Sequence, residues 1–387
     1  MKSVVFFISL ALLSVGPFYG KEIITLKSDS IDGELIYPGM VKEGPGKEIY
    51  AADFRDYYIK VFSPEGIYKR RIGGKGEGPG QMKRMGAFGF AADKKFLFFT
   101  EYFNGHRWIT FTDLHGNYKK AFNLNIKGNY GMGKTIMLPG NRFIAEIHNF
   151  NFNNIKKKSN YFQYYFSKKL VIINHKGEIE KVIRHCSHVY GLSMVATGAA
   201  IPIPFQPEFL WIQSENRVIF TDGLSNKLKI FDYEGKEVGE IQTSLPEPQK
   251  VTKIDLGNWK KELKESVGYK RQAGAFKISG KVIDLYQESI FDKKPNVSDI
   301  SLTPDGNILL EGPNHDKEKP INYWLINKQG KSICQVTLKS HGVRVTGNYI
   351  LFKKIDAEEN ETVCFIKREN SEKADLLKLE RLPASSQ

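Results

Sequence analysis

The stretch GNYGMGKTIM, Gly128 to Met137, carries the residue types of a phosphate cradle. Gly128, Gly133, Lys134 and Thr135 match G-x-x-x-x-G-K-[ST], in which backbone amides and a lysine hold nucleotide phosphates. A true cradle joins a buried strand to a helix whose N-terminus faces the phosphates. Here Thr135 to Leu138 runs into Pro139-Gly140-Asn141 and a further apolar run, RFIAE, which leaves no room for a helix. Gly128–Thr135 is therefore read as a glycine-bearing connector between repeated units, and no nucleotide is expected.

Three other sets could do chemistry. Asp53, Glu101, Glu146, Asp222 and Glu311 each end an apolar run: EIYAAD, FLFFTE, RFIAE, RVIFTD and ILLE. Carboxylates placed this way can bind Ca²⁺ or act as bases, or they can accept N–H groups of their own turns. The repetition favours the turn-forming role. His185-Cys186-Ser187-His188 offers donors that zinc accepts, but no third ligand follows at a fixed spacing. His185 and His188 are thus the metal candidates, with Ca or Zn as the alternative to no cofactor at all. Lys156-Lys157-Lys158 stands among aromatics in FNFNNIKKKSNYFQYYFSK. Flat rings stack on sugars and ammonium groups grip anions. Lys156, Lys157, Lys158, Tyr161, Tyr164 and Tyr165 are accordingly the expected ligand contacts. There is no G-x-S-x-G elbow, and no catalytic residue is assigned.

These residues must be positioned by strands. Five segments share one form, an apolar run, a turn ending in glycine and a second run: IKVFSPEGIYKRRI, WITFTDLHGNYKKAF, LVIINHKGEIEKVI, LKIFDYEGKEVGEI and YWLINKQGKSICQV. Each reads as a β-hairpin whose glycine takes positive φ. The acid-ending run lies upstream, and another short strand precedes that. The unit is four antiparallel strands, A to D, of about 40 residues. Such a unit cannot bury both faces alone, and radial stacking covers them. The turn glycines Gly66, Gly116, Gly177, Gly235 and Gly330 are spaced by 50, 61, 58 and 95 residues. After Gly330 three strands follow, and Glu22–Lys27 can supply the fourth. The expected fold is all-β, a six-bladed β-propeller of four-stranded antiparallel blades, its ring closed by an N-terminal strand. Seven blades is the alternative, with the extra one in AFKISGKVIDLY.

RIGGKGEGPGQM (Arg71–Met82), followed by AFGFAAD, resembles the linker and first strand of an NHL repeat. IYAADFRDYYIKVFSPEG, FTEYFNGHRWITFTDLHG and FTDGLSNKLKIFDYEG are similar to the rest of that repeat. The resemblance implies an exported six-bladed propeller of the kind common in bacteria. One branch of similar propellers, the peptidylglycine amidating lyases, uses zinc and histidines. No residue here matches its motifs, so no ligand is carried over.

Lys2 and the apolar run Val4–Leu13 read as a secretory signal peptide over residues 1–20. The propeller is expected over 21–370 and a polar tail over 371–387. No later run is long and apolar enough to span a bilayer, so a secreted or periplasmic monomer is expected. Export argues against ATP chemistry and against nucleic acid. The net charge of +14 then points to anionic partners. Three cysteines, Cys186, Cys334 and Cys364, allow at most one disulfide, with Cys334 and Cys364 the pair considered.

In a four-strand meander the B–C loops and D–A connectors share one rim. The C–D turns here are all short, so the long insertions fall on the opposite rim. They are Gly73–Gly86, Lys127–Lys134, a B–C loop over Phe150–Lys168, connectors over Arg184–Gln206 and Gly312–Pro320, and Thr243–Ser298 with a short helix near Asn258–Val267. Long loops on one rim of a rigid ring are where sites arise. The expected function is a non-catalytic scaffold engaging a carbohydrate, peptide or protein ligand on that rim. The alternative is a metal-dependent lactonase or lyase at the channel mouth.

Overall fold

Apolar and polar residues alternate along short runs set off by turns, so strands dominate the computed structural model. It describes residues 23–91, 93–103, 106–126, 130–158, 161–194, 200–202, 205–265, 292–313, 319–355, 361–369 and 371–380. The side chains of 102–103, 106–107, 130, 149–158, 161–167, 186–194, 200–202, 262–265, 355 and 378 lie outside that description. After β1 (Ile24–Thr25), blade 1 comprises β2 (Pro38–Glu43), β3 (Ile49–Asp53), β4 (Tyr58–Phe62) and β5 (Tyr68–Gly73). Blade 2 comprises β6 (Met85–Phe90), β7 (Phe96–Phe103), β8 (His106–Asp113) and β9 (Tyr118–Asn123). Blade 3 comprises β10 (Tyr130–Leu138), β11 (Arg142–Lys158), β12 (Tyr161–Ile173), β13 (Ile179–Met194) and β14 (Ala200–Pro202). Blade 4 comprises β15 (Leu210–Ser214), β16 (Arg217–Thr221), β17 (Lys227–Asp232) and β18 (Glu237–Gln242).

Helix α1 (Lys253–Glu265) lies in the excursion before blade 5. That blade holds β19 (Asp299–Leu302), β20 (Ile308–Glu311), β21 (Ile321–Ile326) and β22 (Ser332–Leu338). Blade 6 orders β1 outside β25 (Glu361–Lys367), β24 (Tyr349–Ile355) and β23 (His341–Val345). Ile24 pairs with Phe365 and Thr25 with Cys364, so the N-terminal strand closes the ring of six. The AFKISGKVIDLY segment lies outside the described residues.

The first strand of each blade is the innermost. β2 touches β6, β6 touches β10, β15 touches β19 and β19 touches β23. The fourth strands of blades 2 and 4, by contrast, are largely exposed. The core sits between blades, as Phe98, Phe111 and Phe143 show at the junction of blades 2 and 3.

One turn recurs five times between strands C and D. Its first residue is Ser63, Asp113, Asn174, Asp232 or Asn327, whose side chain accepts the N–H groups two and four residues on. The glycine closing each turn has φ between 79° and 94°. A Cβ at Gly177 would stand 2.3 Å from the Asn123 carbonyl of blade 2, and one at Gly330 would stand 2.0 Å from the Gln242 carbonyl of blade 4. The glycine thus serves both the turn and the contact with the preceding blade.

The structure corrects four boundaries. Phe150–Lys168 is not a loop: β11 and β12 run on as paired strands, with Phe150 opposite Phe166 and Lys157 opposite Phe162. Phe150-Asn151-Phe152-Asn153 alternates at the strand period, which favours extension over looping, although Tyr161–Phe166 does not alternate. Arg184–Gln206 is not wholly a connector either, because β13 continues to Met194 and β14 adds a fifth strand. Lys134 and Thr135 belong to strand β10, not to the connector before it. Within residues 371–387, helix α2 (Glu372–Glu380) buries Leu376 and Leu379 against blade 5. Its Glu372 accepts the Asp305 N–H (3.2 Å) and an Asn307 side-chain N–H (3.0 Å).

Candidate functional site

Strand registers divide the five acids into two groups. Measured by their pairing towards the C–D turn, Asp53, Glu101 and Asp222 occupy one position of strand B. Glu146 and Glu311 occupy the position one residue earlier. Side chains alternate faces along a strand, so the two groups point to opposite sides of their blades. Unequal B–C loops hide this offset in the sequence.

Asp53, fully buried, accepts N–H groups of Ile36 (2.8 Å), Tyr37 (3.2 Å) and Arg55 (3.0 Å) and the Lys60 ammonium (3.0 Å). Burial opposes its ionisation, but these donors outweigh it and hold its pKa low. Glu101 accepts the Lys83 N–H (2.8 Å), and Asp222 accepts the Leu224 N–H (2.9 Å). This group shapes the chain where it turns.

Glu146 and Glu311 instead reach the next blade. The Trp211 indole of blade 4 donates to Glu146 at 3.4 Å, and the Gly342 N–H of blade 6 donates to Glu311 at 3.1 Å. Glu146 also meets the His148 ring (2.6 Å) and the Lys168 ammonium (3.1 Å). Burial pushes the Glu146 pKa up, but His148 and Lys168 prevail and bring it down to about 2. Glu311 behaves in the opposite way. Burial, reinforced by the charge of Asp299, lifts it to about 7 despite Arg344 and the hydrogen bonds from Tyr323 and Gly342.

Innermost strands add the remaining charges. Asp299 opens β19 opposite Glu311 and forms an ion pair with Arg344 of β23. Lys134 of β10 donates to the Trp211 carbonyl (2.7 Å) and lies over the Trp211 ring, 5.1 Å from its centroid. Lys42 of β2 lies 5.4 Å from the centre of the Phe88 ring. Both ammonium groups are brought down to about 8, Lys42 by desolvation and the charges of Lys134 and Arg344, Lys134 by desolvation and Arg344 against Asp299 and Glu146. Glu208, just before β15, is raised by desolvation and then by Asp299 and Glu146, against Lys168. Titratable groups with displaced proton affinities, gathered on one channel, mark a candidate site.

A strand bulge sets this geometry. Pairing of strands A and B slips at Pro38/Val41, Met85/Phe88, Met132/Thr135 and His341/Arg344. A glycine stands in each slip: Gly39, Gly86, Gly133 and Gly342. A Cβ at Gly133 would come 2.9 Å from the His148 ring, so a side chain there would push that ring aside. The glycine and lysine of the phosphate-loop pattern are therefore a bulge residue and a channel cation.

Lys156, Lys157, Lys158, Tyr161, Tyr164 and Tyr165 lie on the outer ends of β11 and β12, and His185 and His188 lie on β13. Side chains are described for only one of these eight, His185, which is exposed. Among the described residues no three His, Cys, Asp or Glu side chains stand close enough to hold a metal ion. Cys334 and Cys364 are both free. The sequence reading missed Lys42, Lys134, Glu208, Asp299 and Arg344 as a group. Only the recurring glycine near the start of strand A could have pointed to it.

No family model matches the chain, and no curated protein matches it. Solved structures do. A Bacteroides fragilis protein described as exported is 11% identical, with a TM-score of 0.51 over 92% of this chain and 98% of its own. A member of the DUF4221 family from Bacteroides vulgatus is also 11% identical, with a TM-score of 0.46 over 90% and 96%. Virginiamycin B lyase from Staphylococcus aureus is 10% identical, with a TM-score of 0.44 over 89% and 98%. The first likeness supports the propeller fold. No helix of the described residues is long and apolar enough to cross a membrane.

Proposed function

We propose that the protein is an exported binding propeller that takes its ligand at the loop-rich mouth of the channel. The observation that carries this reading is the meeting of Glu146, Lys134, Asp299, Arg344 and Glu311 from blades 3, 5 and 6. The first and second strands of the blades hold these groups, and a preorganised polar site binds at low cost in ordering. The extended hairpin of blade 3 carries Lys156, Lys157, Lys158, Tyr161, Tyr164 and Tyr165, which would extend the grip on a carbohydrate, peptide or protein ligand. The apolar run at Val4–Leu13 and the exported structural neighbour support an extracytoplasmic location.

A glycan and peptide array tests the reading. Specific binding is expected, and it should weaken when Lys156, Lys157 and Lys158 are all changed to Glu. An array with no hit contradicts the scaffold. Unchanged binding in the triple variant removes the hairpin from the site.

A further inference from the structure

Three of the carboxylates at the mouth already have cationic or N–H partners. Asp299 takes Arg344, Glu146 takes Lys168 and His148, and Glu311 takes the Gly342 N–H. Two ammonium groups, Lys42 and Lys134, form no ion pair among the described residues. Lys134 spends one N–H on the Trp211 carbonyl, which leaves two donors. Lys42 forms no hydrogen bond among the described residues and lies over the face of Phe88. Gly89 of blade 2 stands beside it, and a Cβ there would lie 3.6 Å from the Lys42 nitrogen, an ordinary contact.

Lys42, Lys134 and Arg344 come from the innermost strands of blades 1, 3 and 6, close enough for their charges to repel. The charges that act on Lys42 are those of Lys134 and Arg344, so an anion entering beside it relieves their repulsion, whereas Lys134 also feels Asp299 and Glu146. Charge-assisted hydrogen bonds are the strongest a site can offer to an oxyanion.

We infer that Lys42, Lys134 and Arg344 form a site for an oxyanion, the carboxylate, sulfate or phosphate group of a ligand entering the channel. This deepens the binding reading above and rests on it. Trp211, beside Lys134, reports occupancy. Inorganic phosphate, sulfate and acetate are titrated at constant ionic strength against chloride, with Trp211→Phe identifying the signal. Saturable binding of at least one anion is expected, and the order of the three separates a tetrahedral from a planar preference. Lys42→Gln and Lys134→Gln should each weaken binding about tenfold or more. Lys42→Arg, which keeps the charge, should bind within about threefold of wild type and guards against loss through misfolding. No saturable response, or equal binding in folded Gln variants, overturns the inference. Array hits that are all neutral and bind the Gln variants normally would also overturn it while leaving the binding scaffold standing. An array without hits removes the scaffold itself.

Discussion

Asp53 and Glu311 both end the second strand of a blade, yet one is saturated and the other is held near its point of protonation. Asp53 has three backbone donors and an ammonium group around it. Glu311 stands one strand position earlier, on the other face, with the like charge of Asp299 beside it. Glu146 shares that position in blade 3 but has His148 and Lys168 for neighbours. Place in the repeat decides which face a carboxylate meets. The groups it meets there decide whether it shapes a turn, anchors a cation or stores a proton.

The largest effect that would sharpen this contrast is expected at Asp53. Asp53→Ala strips the Ile36, Tyr37 and Arg55 N–H groups of their acceptor and leaves buried Lys60 with only the partly exposed Asp56 carboxylate (3.2 Å) and the Glu34 carbonyl, which should cost about 3–5 kcal/mol in chemical denaturation. A loss under about 1 kcal/mol would mean that Asp53 is not structural.

Glu146→Gln should cost about 2 kcal/mol at pH 7, because Lys168 and His148 lose their partner. The pKa of Glu146 is depressed in the fold, so its stabilisation exists above the usual carboxylate range. It is lost as pH falls from about 4.5 towards about 2, and the variant and wild type should converge there. Glu311 has the opposite sign. Its raised pKa favours the fold at low pH and penalises it as pH climbs from about 4.5 through about 7. Glu311→Gln should therefore stabilise the protein by on the order of 1–2 kcal/mol at pH 8 and leave it unchanged near pH 4. Parallel pH profiles for the two variants would break the contrast. The smallest effect is expected at Gly133, where Gly133→Ala should cost about 1 kcal/mol by crowding His148.

The fold was largely legible because its signals are local. A turn residue, a glycine and flanking apolar runs specify each hairpin, and the N-terminal strand that closes the ring was legible from a shortage of one strand in the last blade. Blade 3 was not, because its strands lengthen without any new turn signal and its aromatic-polar alternation passes for a polar loop. Lys134 was visible only inside a misleading motif. Asp299 and Arg344, whose charges act on it, lie 165 and 210 residues away and come near it only when the ring closes. The offset between Asp53 and Glu146 depends on B–C loop length, which pattern matching along the chain does not count.

The central claim is that the ligand sits at the channel mouth, among charges delivered by the inner strands. A crystal structure with a ligand from the array tests it most directly. The account predicts density within hydrogen-bonding distance of Lys134 and Arg344. Density instead in the cleft of about 400 Å³ between blades 1 and 2, against Trp108 and Tyr118, would contradict it.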